Sequence, residues 1–141
     1  MRPMYQQAHD LVNERSALAK FCARIGCEAV KLPMEARADS MLVRNGAAKV
    51  VVEVKTRRNE RLKYPTYMVS QDKYVALCEW GTKGFMPILL VQWTDTLGYV
   101  HVPVEHKVSV GGRYDRGDPK DIENVVLINI DAFNIVDTTD V

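Results

Sequence analysis

The chain has 141 residues, 47% of them hydrophobic and 26% charged, with 19 basic side chains against 18 acidic ones. That length supports one domain with a core of its own, without disulfides or a structural metal, and the composition excludes disordered, collagen-like and fibrous classes. No run reaches the ~18 consecutive apolar residues of a membrane helix, and the opening Met1–Gln7 has no apolar signal segment.

The first element expected is an amphipathic helix from about Tyr5 to Ile25, because Tyr5, Ala8, Leu11, Val12, Leu18, Phe21, Cys22 and Ile25 share one helical face. Gly26 follows it as a stop. Ala29–Pro33 and Ala38–Arg44 read as short strands, and Asn45-Gly46 is a two-residue hairpin signal. The return strand, Ala48–Lys55, carries Val50-Val51-Val52, apolar on both faces, which marks a central strand. Thr56–Val69 is polar and basic and reads as a loop; Ser70 is an N-cap for a second helix ending near Gly81. Pro87–Trp93 is a buried strand, Asp95–Gly98 a turn, and Tyr99–Val104 its antiparallel partner. Gly111–Pro119 reads as loop, and Val125–Ile130 as a last strand followed by a short turn carrying Phe133. Helix, three strands, helix, two strands, loop, strand make a mixed α/β layer fold. The whole is expected as a single domain of residues 1–141, with its core over about 5–104 and an extension over 105–141.

Cys22, Cys27 and Cys78 are odd in number and contain no Cys-x-x-Cys, so reduced thiols are expected. His9, His101 and His106 share no ligand spacing with them, so no zinc site is expected. Between Arg44 and Lys63 lie seven basic residues and two acidic ones, a local excess that the near-neutral total conceals.

The chemistry converges on Asp39 and Glu53-Val54-Lys55. In a strand, residues two apart share a face, so Glu53 and Lys55 project together while Val54 turns to the core. A hairpin centred on Asn45-Gly46 pairs residues whose numbers sum to about 91, which sets Asp39 opposite about residue 52, next to Glu53. Two carboxylates and an ammonium on one side of a buried sheet are costly as mere packing. They suit Mg²⁺ or Mn²⁺, hard cations that take oxygen ligands and keep several waters, and the Val54 carbonyl can add a further ligand. The chemistry implied is phosphodiester hydrolysis, with Lys55 orienting the attacking water or neutralising developing charge. A second Glu-x-Lys, Glu105-His106-Lys107, follows Pro103 away from any Val-rich central strand and reads as surface.

With that order of elements, and with Ala38-Asp39 followed by Glu53-Val54-Lys55, the chain resembles the PD-(D/E)XK nuclease superfamily over about residues 5–104. Ala38 replaces the Pro that usually precedes the Asp. The resemblance implies a restriction-endonuclease-like αβββαβ core with a mixed central sheet and a C-terminal strand extension. It also implies a Mg²⁺- or Mn²⁺-dependent endonuclease acting on DNA. Asn13-Glu14-Arg15 on the first helix is similar to the Holliday-junction resolvases and to small phage nucleases. This implies a further metal contact from Glu14, the alternative being a solvated helix carboxylate. Branched or structured DNA as substrate, a homodimer, and the cytoplasm of a bacterial or phage-infected cell are implied in the same way.

Gln71 and Lys73, at the start of the second helix, stand where such proteins touch phosphate or position water, or they are ordinary first-turn polar residues. The Gln-x-x-x-Tyr of the superfamily's recombination nucleases is not matched, since Val75 lies four residues after Gln71. Arg57, Arg58, Arg61 and Lys63 are expected phosphate contacts. Tyr64 and Tyr67 are candidates for stacking on unpaired bases or for packing against the second helix. Rival expectations are a catalytically inactive nuclease-fold module that binds nucleic acid or a protein, and an α/β protein whose acids merely end strands.

Overall fold

A computed structural model describes residues 4–112 and 122–139, with side chains described over 12–110 and 123–139. The expected helix is α1, Met4–Ile25. It ends where Gly26 takes a positive φ of 72° and its N–H closes on the Cys22 carbonyl at 2.8 Å. Ala17, Phe21 and Cys22 are its buried stripe, whereas Val12 is exposed. The roles expected for the side chains of Tyr5, Ala8 and Leu11 lie outside the described residues.

Strands β1 (Glu28–Lys31), β2 (Ser40–Arg44) and β3 (Ala47–Thr56) form an antiparallel meander. Asn45 and Gly46 both have positive φ, 53° and 77°, as the tight hairpin requires. The simple register fails on one point. A bulge between Leu42 and Val43 pairs Leu42 with Val50 but Val43 with Ala48, leaving Lys49 as the extra residue on β3. Beyond it Ser40 pairs with Val52, so the continuing register sets Asp39 beside Glu53 rather than opposite residue 52.

The segment expected to be one loop after β3 contains a strand, β4 (Thr66–Ser70), in which Tyr67 and Val69 point inward. Helix α2 (Gln71–Thr82) follows directly. Its cap is the expected one: the Ser70 side chain accepts from the Lys73 N–H at 3.2 Å. Strand β5 (Met86–Gln92) lies parallel to β3, and β6 (Leu97–His101) returns antiparallel, ending three residues before the expected Val104.

The remaining strands are β7 (His106–Gly112), β8 (Ile122–Asn129) and β9 (Asn134–Val136). Gly111 and Gly112 belong to β7, not to a loop; the rest of that expected loop, 113–119, lies outside the described residues. The central sheet runs β1-β2-β3-β5-β6-β9, and a second sheet runs β4-β8-β7. It is mixed, since only β3 and β5 pair in parallel among the described strands.

Helix α1 packs on one face of the central sheet, where Ala17, Phe21, Val52, Val54 and Leu90 form a core. On the other face Val51, Leu89 and Val91 meet α2 and the second sheet through Tyr67, Tyr74, Leu77 and Ile128. Burial on both faces is why β3 and β5 read as continuous apolar runs. Among the described residues Glu53 is the buried charged one, at 5% exposure.

Candidate active site

Strand alternation places Val52 and Val54 toward α1, so Glu53 and Lys55 face α2. The Lys55 ammonium lies 3.5 Å from Glu53 Oε2, and that of Lys73, on the first turn of α2, lies 3.7 Å from the same oxygen. The Ser70 cap fixes where the helix begins, and so brings Lys73 over β3. Burial pushes the Glu53 carboxyl above its usual range; Lys55 and Lys73 pull it back, and the charge of Asp39 adds a smaller upward push. Two ammonium groups do not fully offset the loss of water around this carboxylate.

Asp39 sits at the entry to β2, its backbone N–H bonded to the Val52 carbonyl at 3.1 Å. Its Oδ2 accepts from the Val54 N–H at 3.3 Å, and Oδ1 pairs with the Lys31 ammonium. Glu14, Lys31, Asp39 and Val54 line one cavity of about 280 Å³ beneath α1. The fold therefore gathers Glu53, Lys55 and Lys73 into one cluster. Asp39 stands next to it across the sheet edge, and Glu14 shares the Asp39 cavity.

Gln71 is not part of this cluster: half-buried, it accepts a hydrogen bond from the Asn124 amide at 3.3 Å. The row of basic residues divides. Arg57 donates to the Thr56 and Met68 carbonyls, both at 3.0 Å, and lies 4.5 Å above the Tyr67 ring, clamping the end of β3 to β4. Arg61 donates to the Ile130 carbonyl at 3.3 Å. Arg58 and Lys63 are exposed, with Lys63 over the Tyr64 ring. Tyr64 is open to solvent, but Tyr67 is buried, edge-on to Trp93 and Phe133 and in one core cluster with Tyr74 and Leu77 of α2. Burial pushes its phenol up to about 12.

Sequence reasoning did not find the ion pairs Lys31–Asp39 and Lys73–Glu53. The first could have been read from the short spacing of β1 and β2. The second had no local signal, because it depends on how α2 lies over β3.

Among the described residues no three His, Cys, Asp or Glu side chains gather at metal-holding distances. The donor set that remains is the Asp39 carboxylate at the entry to β2 and the Glu53 carboxylate on β3, beside it in register. It fits a hard divalent cation that keeps waters and takes phosphate oxygens as further ligands. It does not fit a closed zinc site.

A family model described as "phage putative PDDEXK endonuclease" matches residues 1–136. No curated protein matches the chain. The chain belongs to this PDDEXK endonuclease family, and its restriction-endonuclease-like α/β fold follows that membership.

Proposed function

From that membership we propose that the protein is a divalent-metal-dependent endodeoxyribonuclease acting on branched or otherwise structured DNA, and that it works as a homodimer. The observation that supports this reading most is the buried Glu53 carboxylate, held between two ammonium groups and one strand from Asp39. A carboxylate kept out of water at such cost is poised for a stronger counter-charge. Asp39, Glu53 and the Val54 carbonyl would hold Mg²⁺ or Mn²⁺, with Glu14 as a further ligand. When bound, the cation supplies Lewis-acid charge at the scissile phosphate and acidifies water.

The protein groups do the rest. Lys55 orients the attacking water and offsets charge developing on the phosphate. Lys73 shares the Glu53 carboxylate and favours its ionised form against the push of burial. Arg58 and Lys63, still exposed, bind the DNA backbone without regard to sequence.

The test is a panel of labelled branched, linear duplex and single-stranded DNA and RNA with Mg²⁺ or Mn²⁺, wild type beside Glu53→Gln and Lys55→Ala. Metal-dependent internal cleavage of branched DNA, lost in both variants, is the expected result. Cleavage that survives both substitutions would sink the assignment, and binding without cleavage in every metal would leave a binding module.

A further inference from the structure

A cavity of about 620 Å³ opens between α1 and the carboxyl ends of β3 and β5. These strands are parallel, with Thr56 beside Gln92 at their ends and the Arg57 N–H bonded to the Gln92 carbonyl at 2.9 Å. Crevices beyond the carboxyl ends of parallel strands are the usual ligand sites of α/β sheets, and the volume is within the range of small-molecule sites. Its walls include Lys20, Arg57 and Arg58, with no carboxylate among the described lining residues. Neither Lys20 nor Arg58 makes an ion pair with a described residue. With the Arg57 guanidinium committed to the Thr56 and Met68 carbonyls, Lys20 and Arg58 are the cations that favour an anion among the described lining residues.

A second observation narrows the anion. The Gln92 amide nitrogen donates to the Trp93 carbonyl at 2.7 Å and the Thr96 carbonyl at 3.1 Å, which fixes the amide. Its Oε1 is buried and has no hydrogen-bond partner among the described residues. An orphaned acceptor is costly until a donor reaches it. A phosphodiester group by itself offers only acceptors. A nucleotide brings a phosphate and a base edge with N–H donors, and a base can enter a protein cavity only when it has left its pair and its stack.

We propose that this cavity is a subsite for one unpaired nucleotide, its phosphate held by Lys20 and Arg58 and its base edge by Gln92. That the nucleotide belongs to a DNA strand being cut rests on the nuclease reading above. Thr56 follows Lys55 directly but points to the opposite face of β3, so the subsite lies at the same strand end as the proposed cleavage site, on the α1 side of the sheet. It gives the protein a means to favour DNA that carries an unpaired base.

The test uses the full ¹⁵N-labelled chain without metal, titrated with deoxyadenosine 5′-monophosphate and, separately, with inorganic phosphate. The expected result is movement of the Gln92 side-chain amide and the Thr56–Arg58 backbone signals with the nucleotide. Affinity should fall at least about fivefold in Lys20→Ala and recover in Lys20→Arg, as loss of one phosphate contact implies. Signals moving elsewhere, affinity unchanged in Lys20→Ala, or phosphate binding as well as the nucleotide would each overturn the subsite. Nucleotide bound here by a protein that cuts no DNA would leave the subsite standing and the nuclease reading fallen. DNA cleavage with these signals unmoved would do the reverse.

Discussion

The chain writes Glu-x-Lys twice, and the two copies have different fates. Glu53 and Lys55 lie on β3, with β2 and β5 paired on either side, and Glu53 is buried beneath α2. Glu105 stands just before β7 and Lys107 is its second residue, on an edge strand of the smaller sheet, and both are exposed. The tripeptide is the same chemistry in each place. What differs is the water around the carboxylate, and that decides whether the charge can be put to use. His106, between the second pair, packs its ring 4.6 Å from that of Tyr74 and bonds the Val104 carbonyl at 2.7 Å, a structural role.

Paired substitutions test that contrast. The largest effect is expected in Glu53→Gln, a loss of cleavage on the order of 10³-fold, about 4 kcal/mol of barrier, with Glu105→Gln unchanged. Lys55→Ala should cost about 10²-fold in kcat while Lys107→Ala costs nothing measurable, as single-turnover cleavage would show. Equal losses in the two copies would break the comparison.

Lys73→Ala should cost about tenfold at neutral pH and less at higher pH. Lys73 lowers the Glu53 pKa, so removing it raises that pKa further, and the acid limb of the pH–rate profile should move to higher pH. An unmoved limb would assign Lys73 to packing alone.

Stability sharpens the same point. The folded-state pKa of Glu53 lies above its ordinary value. Its stabilising contribution is thus complete below the unfolded pKa and is lost as pH rises through the folded one. Glu53→Gln should therefore melt a few degrees above wild type at pH 7, with the gap closing toward pH 4. Thermal melts across that range decide it, and Glu105→Gln should show no gap. The smallest effect expected is a rise of a degree or two in Tm with Mn²⁺, lost in Asp39→Ala and kept in Glu105→Gln.

Much of the frame was legible in local pattern. Both helices, the Gly26 stop, the Ser70 cap and the Asn45-Gly46 turn are written in a few adjacent residues. The Val-rich strand announced a centre because burial on two faces needs apolar residues on both. The second sheet was harder. β4 follows a basic stretch, and its inward Tyr67 and Val69 alternate with exposed Met68, a pattern visible only to a reader who stops treating the region as loop. β7 is an exposed edge ending in Gly-Gly and pairs with β8 across residues far ahead in the chain.

At the candidate site, Asp39, Glu53 and Lys55 stand out by type and spacing, because strand periodicity is a local property. The bulge that sets Asp39 beside Glu53 does not, since one extra residue in a ladder leaves no mark on composition. Gln71 and Lys73, two residues apart, looked alike; only the lie of α2 sent one to Asn124 and the other to Glu53.

The amino-acid order by itself determined which residue types stand on which strand and how each element starts and stops, since those follow from neighbouring side chains and backbone sterics. Tertiary structure decided which of two identical motifs is dehydrated, which lysines reach a carboxylate, and where unpaired charge lines a cavity. Those depend on distances between segments remote in sequence and on the exclusion of water, which exist only once the layers have closed.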